Sequence, residues 1–225
     1  MRPRITEAPS PNHDARPDGV PVDTLMLHYT GMRTGAEAIA RLRDPAAKVS
    51  AHYVVEEDGQ VFRLVPEDRR AWHAGVSSWR GQTGLNARSI GIEIVNPGHE
   101  HGYRPFPALQ MAAVCDLCLD ILARHPIPAR NVLAHSDVAP DRKEDPGEFF
   151  DWEGLAANGV GLWPAKAGAA EGDPLALLGA IGYRTDLPLR VLLRAFQRHW
   201  RPGRVDGVAD AGTLARLAAV AAAAG

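Results

Sequence analysis

The sequence has no long hydrophobic run. None of its apolar stretches approaches the length needed to cross a bilayer, so no membrane-inserted helix is expected. It has no excess of one charge either. A net charge of -2 gives no reason to expect nucleic acid or an anionic membrane as partner. The first residues, Met1 to Asp18, are polar and proline-rich and lack the apolar core of a secretory leader. A cytoplasmic location is therefore expected, with the periplasm or export as the alternative. Cysteine is scarce. Cys115 and Cys118 form a C-x-x-C pair, but no second pair completes a four-thiolate site. Met111, Val114, Cys115, Cys118, Ile121 and Leu122 follow helical spacing, with Asp116, Asp120 and Arg124 opposite, so both thiols are expected in a core. There is no convincing internal repeat.

What is present supports one good core and a smaller second one. Residues 1–20 are expected to be a loose arm. Val22 to Thr30 reads as a buried strand. Thr34 and Glu37 have capping-box spacing for a helix running to about Arg43, before Pro45. Two β-rich runs, Val49 to Glu56 and Val61 to Val65, flank Asp58-Gly59 as a hairpin. Residues 66–88 have no clear period and suggest a functional loop. A strand over Ser89 to Val95, an amphipathic helix over Ala108 to His125 and a short strand over Asn131 to Ala134 follow. This order predicts an α/β fold, a mixed central sheet flanked by helices, over 21–160. A small-residue linker spans 161–172. A small C-terminal three-helix domain spans 173–225, opened by Asp173 as N-cap and Pro174 at N1. Arg190, Arg194 and Arg198 are expected on its solvated face.

Chemistry concentrates at strand ends, where such sheets gather ligands. His28 and His135 each close an apolar strand. Asp145 is either a third metal ligand or a turn residue before Pro146. Two imidazoles and a carboxylate suit Zn²⁺ and leave a fourth position for water. Glu93, a carboxylate inside an apolar run, can take that water's proton, or else simply points at solvent. Lys143 is otherwise a solvated loop cation. His13, His99, His101, His125 and His199 are assigned roles as hydrogen-bonded structural residues. No His-Glu-x-x-His helix occurs, which speaks against a peptidase of that kind.

Five segments occur in one order: His28-Tyr-Thr, Ser50-Ala-His-Tyr, Arg70-Ala-Trp-His-Ala-Gly75, Ser89-Ile-Gly-Ile-Glu93, and His135-Ser-Asp-Val-Ala-Pro-Asp-Arg-Lys-Glu-Asp145-Pro-Gly. Over roughly residues 22–155 the chain resembles the AmpD-like zinc-dependent N-acetylmuramoyl-L-alanine amidases, relatives of phage amidases and peptidoglycan recognition proteins. The resemblance implies His28, His135 and Asp145 as zinc ligands, Glu93 as general base, and Lys143 as the cation that steadies charge on the tetrahedral intermediate. Trp72 and His73 would line the cleft, and Arg142 would meet a stem-peptide carboxylate. Tyr29 stands where some close relatives have Asn, and Gly81-Gln-Thr-Gly84 lacks an arginine that certain members carry nearby. Gly182-Tyr, Ala195-Phe-Gln197, Val205-Asp-Gly-Val208 and Gly212-Thr-Leu214 resemble a peptidoglycan-binding domain, expected to be separable from cleavage of small substrates. The implied partner is peptidoglycan or a muropeptide, handled by a monomer. The alternative is a non-catalytic peptidoglycan sensor.

Overall fold

The computed structural model describes residues 4–165 and 169–225. Within the expected linker, residues 166–168 lie outside the described residues. The chain opens with two short strands, β1 (Ile5–Glu7) and β2 (His13–Ala15), and then β3 (Thr24–Tyr29). Helix α1 (Gly35–Arg43) starts as its sequence dictates, with the Thr34 hydroxyl accepting from the Glu37 amide at 3.2 Å. The hairpin of β4 (Tyr53–Val55) and β5 (Val61–Arg63) follows. The stretch expected to be irregular holds β6 (Arg69–Ala71), β7 (Ser78–Trp79) and β8 (Gln82–Thr83). Next come β9 (Ser89–Ile94), the short α2 (Gly98–His101) and α3 (Ala108–Leu122). Strand β10 (Val132–Ala134) runs directly into α4 (His135–Val138), followed by α5 (Trp152–Ala157). The C-terminal helices are α6 (Pro174–Ile181), α7 (Leu189–Trp200) and α8 (Ala211–Ala224). Among the described residues no helix is long and apolar enough to cross a membrane.

The central sheet has the order β1-β5-β4-β9-β3-β10 and is mixed, with β4–β5 its antiparallel pair. Alternation along the strands gives it two faces. On one, Leu25, Leu27, Ile90, Ile92, Ile94, Val132 and Ala134 meet Val114, Leu117, Cys118 and Ile121 of α3. Each such aliphatic side chain contributes about 1.5–3 kcal/mol by leaving water. Cys118 is fully buried as expected, whereas Cys115 sits at the helix flank and is only half-buried.

The other face is covered differently. Met26, Ala74, Trp79, Leu85, Leu133 and Val138 form one continuous cluster with Leu178, Ile181, Leu192, Leu193, Phe196, Trp200, Leu217 and Val220. The C-terminal helices thus share a core with the sheet.

The N-terminal segment is not a loose arm. β1 extends the sheet edge alongside β5, and β2 pairs antiparallel with β6. Ile5 and Ala8 add apolar packing, and hydrogen bonds hold the rest. Asn12 Nδ2 donates to the carbonyls of Asp44 and Val49 at 2.8 and 2.9 Å. The Arg16 guanidinium reaches the carbonyls of Glu67, Ala87 and Ser89, each at 2.9 Å.

Glu67 ties the hairpin side to the end of α3. It accepts from the Tyr53 hydroxyl at 2.7 Å, from Arg124 at 2.6 Å, and pairs with His125 at 2.7 Å. Burial alone would raise its pKa, but the Arg124, Tyr53 and His125 hydrogen bonds prevail and bring it to about 2. A lowered folded pKa stabilises the protein above the unfolded value and loses that stabilisation as pH falls through the folded one. Glu67→Gln should therefore lower the unfolding free energy by about 1–3 kcal/mol at pH 7. The difference from the parent should shrink between roughly pH 4.5 and pH 2, as urea titrations at three pH values would report.

Candidate active site

The parallel register of the central strands builds the site. His28 of β3 stands opposite Glu93 of β9, and Met26 stands opposite both Gly91 and Leu133. His28, Gly91 and Glu93 therefore share the face turned away from α3. His135 follows β10 immediately and opens α4. The Ser136 amide donates to the Asp145 carbonyl at 3.0 Å, which folds the loop back beside His135.

His28 Nδ1, His135 Nδ1 and Asp145 Oδ2 form a triangle with sides of 2.9, 3.0 and 3.0 Å. All three residues are buried. The hydrogen-bond network assigns the protons. His135 Nε2–H donates to the Ala74 carbonyl at 3.2 Å, so its Nδ1 carries a lone pair. The Ser89 hydroxyl donates to the Leu85 carbonyl at 2.7 Å and so accepts from His73 Nε2–H at 3.1 Å. His73 Nδ1 then accepts from His28 Nε2–H at 3.0 Å, which leaves His28 Nδ1 bare.

The electrostatics agree. Burial and the neighbouring His135 push the His28 pKa down to about 4, so the ring is neutral near pH 7. With these hydrogen bonds the two Nδ1 atoms and the Asp145 carboxylate aim lone pairs at one point, as a divalent ion requires. Ligands of one tetrahedral ion at ~2.0–2.2 Å stand roughly 3.3 Å apart, close to the observed sides. The three groups fit such an ion.

Glu93 lies beside this triangle. Its Oε2 is shielded from water and has no hydrogen-bond partner. Burial, and then the charge of Asp145, raise its pKa well above the ordinary carboxylate value against the pull of Lys143. Glu93, His135 and Asp145 open onto a cleft of about 640 Å³, which Trp72, Lys143 and Arg41 also line.

Two residues expected to touch substrate have other partners. His73 reaches the cleft floor but is buried, and both its ring nitrogens are engaged by His28 and Ser89. It can lie on the sheet only because residue 91 is glycine: a Cβ there would sit 2.5 Å from the His73 ring. Arg142 donates to the carbonyls of Ala74 and Val76 at 2.8 and 3.0 Å. It therefore fixes the same Ala74 carbonyl that orients His135, and those donors are not free for a carboxylate.

The sequence reading missed Tyr29 and His99 as cleft residues. The Tyr29 hydroxyl bonds His99 Nδ1 at 3.0 Å, and the His99 ring stacks on Tyr103 at 4.3 Å. Their position just past the ends of β3 and β9 was the available signal.

Residues 18–148, more than half of the chain, match the family model described as N-acetylmuramoyl-L-alanine amidase. The chain is 39% identical over 224 residues to N-acetylmuramoyl-L-alanine amidase AmiD of Escherichia coli K12, covering 86% of this chain and 80% of that one. It is 37% identical over 161 residues to 1,6-anhydro-N-acetylmuramyl-L-alanine amidase AmpD of the same organism, covering 64% and 86%. The structure of Escherichia coli AmiD with the substrate anhydro-N-acetylmuramic acid-L-Ala-D-gamma-Glu-L-Lys superposes with a TM-score of 0.80 at 38% identity, over 90% of each chain. With the fold, the cleft and these matches in agreement, the chain belongs to the N-acetylmuramoyl-L-alanine amidase family.

Proposed function

We propose that this amidase hydrolyses the amide between N-acetylmuramic acid and L-alanine in muropeptides, with one zinc ion held by His28, His135 and Asp145. The observation that carries the reading is the convergence of three candidate ligand atoms beside a carboxyl oxygen without a hydrogen-bond partner. Zinc, when bound, polarises the scissile carbonyl and lowers the pKa of its water to about 7.

This chain's own groups do the rest. Glu93 takes a proton from the attacking water and returns it to the leaving amine of L-alanine. Its raised proton affinity suits both halves of that task. The Lys143 ammonium, on the cleft wall, faces the negative charge that builds on the carbonyl oxygen. Trp72 supplies an aromatic wall to the cleft. Arg41 and Arg142 both line the cleft and are the guanidinium groups placed to meet a stem-peptide carboxylate. The AmiD complex, which holds an anhydro-muropeptide, supports that substrate class here. A non-catalytic sensor is disfavoured because Glu93, Lys143 and all three candidate ligands are present.

Glu93→Gln should keep its zinc and lower kcat by about 10²–10⁴, the usual range for a general base. Mass spectrometry of products from an anhydro-muropeptide, with zinc content measured in parallel, checks this. Turnover near the parent rate would remove Glu93 from its role. Ser89→Ala frees His73 to take its other tautomer and present N–H to His28. Its zinc affinity should drop by about tenfold, read by chelator competition.

A further inference from the structure

Helix α7 grips both ends of the segment that carries two of the three candidate ligands. His199 Nδ1–H donates to Asp137 Oδ2 at 2.6 Å, two residues beyond His135. The preceding residue, Arg198, donates to Glu144, next to Asp145. The stripe expected to face solvent therefore has one member turned onto the active-site loop.

Asp137 is the centre of this contact. Its Oδ2 also accepts from the Ala134 amide at 2.9 Å, which fixes the turn from β10 into α4 where His135 stands. Its Oδ1 accepts from the Tyr183 hydroxyl, just past α6. Asp137, Tyr183 and His199 are each no more than 3% exposed. The His199 ring is clamped between Trp152, at 3.8 Å and 24°, and Trp200, at 3.9 Å and 7°. The imidazole thus has no freedom to turn away from the carboxylate.

We propose that Tyr183 and His199 are positioning residues of the metal centre: through Asp137 they hold His135 in place, which makes the C-terminal helices part of the catalytic unit. The proposal rests on the metal-centre reading above. The physical reason is that a buried carboxylate must have its acceptor sites filled. The catalytic region supplies one backbone donor, and the C-terminal region supplies the two side-chain donors, Tyr183 just past α6 and His199 on α7. Without them Asp137 would swing toward water and drag α4, only four residues long, with it. His135 would then leave the triangle. Partners behind a metal ligand commonly govern affinity in this way.

The test uses the full chain in three variants. His199→Leu removes the donor but keeps apolar bulk between the indoles. Tyr183→Phe removes only a hydroxyl. His199→Asn keeps an N–H near the position of Nδ1. Zinc affinity is measured by competition with a chromophoric chelator, beside the thermal midpoint of the metal-free protein and kcat and KM on an anhydro-muropeptide. We expect His199→Leu and Tyr183→Phe to lose about 10- to 100-fold in zinc affinity, with part of the loss recovered in His199→Asn. At limiting zinc kcat should fall while KM stays within about twofold, because the cleft walls are untouched. Zinc affinity within about twofold of the parent, whatever happens to the thermal midpoint, would overturn the proposal and leave these residues a packing role. Should His199→Leu fail to fold, Tyr183→Phe decides alone. A parent protein that binds no zinc at this site would overturn the metal reading itself, and with it this extension.

Discussion

The pairing register of β3 with its two parallel neighbours is the constraint on which the site depends. Side chains alternate along a strand, so a slip of one residue would turn His28 toward α3 and bring Leu27 into the cleft. The register is held by the opposite face. Leu25 and Leu27 must pack with Ile90, Ile92 and Val132 under α3, and no shifted pairing buries that set. Hydrophobic burial on one side of the sheet therefore sets the geometry of a polar centre on the other. The centre itself contributes little to that choice, because three converging lone pairs are mutually repulsive until a cation joins them.

Around this centre the protein repeats one device, in which each candidate metal ligand is held by a second group that is itself tied down. His28 is oriented by His73 and Ser89, and His135 by the Ala74 carbonyl, itself gripped by Arg142. The turn that presents His135 is closed by Asp137. These supports come from segments remote in sequence, which is how the fold converts a two-faced sheet into a rigid cage.

Much of this was legible in the amino-acid order, and the parts that were not have a common cause. Periodicity located β3, β9 and α3. The Thr34 cap located α1, and Asp58-Gly59 the hairpin. These signals are local. His28, His135 and Asp145 stood out as polar groups at the ends of apolar or turn segments, and the fold brings them together. Residues 5–15 escaped because their strands are fastened by Asn12 and its neighbours through backbone carbonyls, which leave no hydrophobic pattern. The partners of His73, Arg142, Arg198 and His199 were not legible for a related reason. Each has a partner between ten and more than sixty residues away or on another element, and residue type alone does not reveal a partner.

The order of the gripping elements along the chain has a consequence for biogenesis. His28 emerges from the ribosome first, yet its fellow ligand His135 follows 107 residues later, and the α7 contacts that brace the loop come later still. Chains commonly fold in units as they are made. In this molecule the candidate metal cage belongs to no early unit, so its three ligands and their braces come together only after α7 has been made.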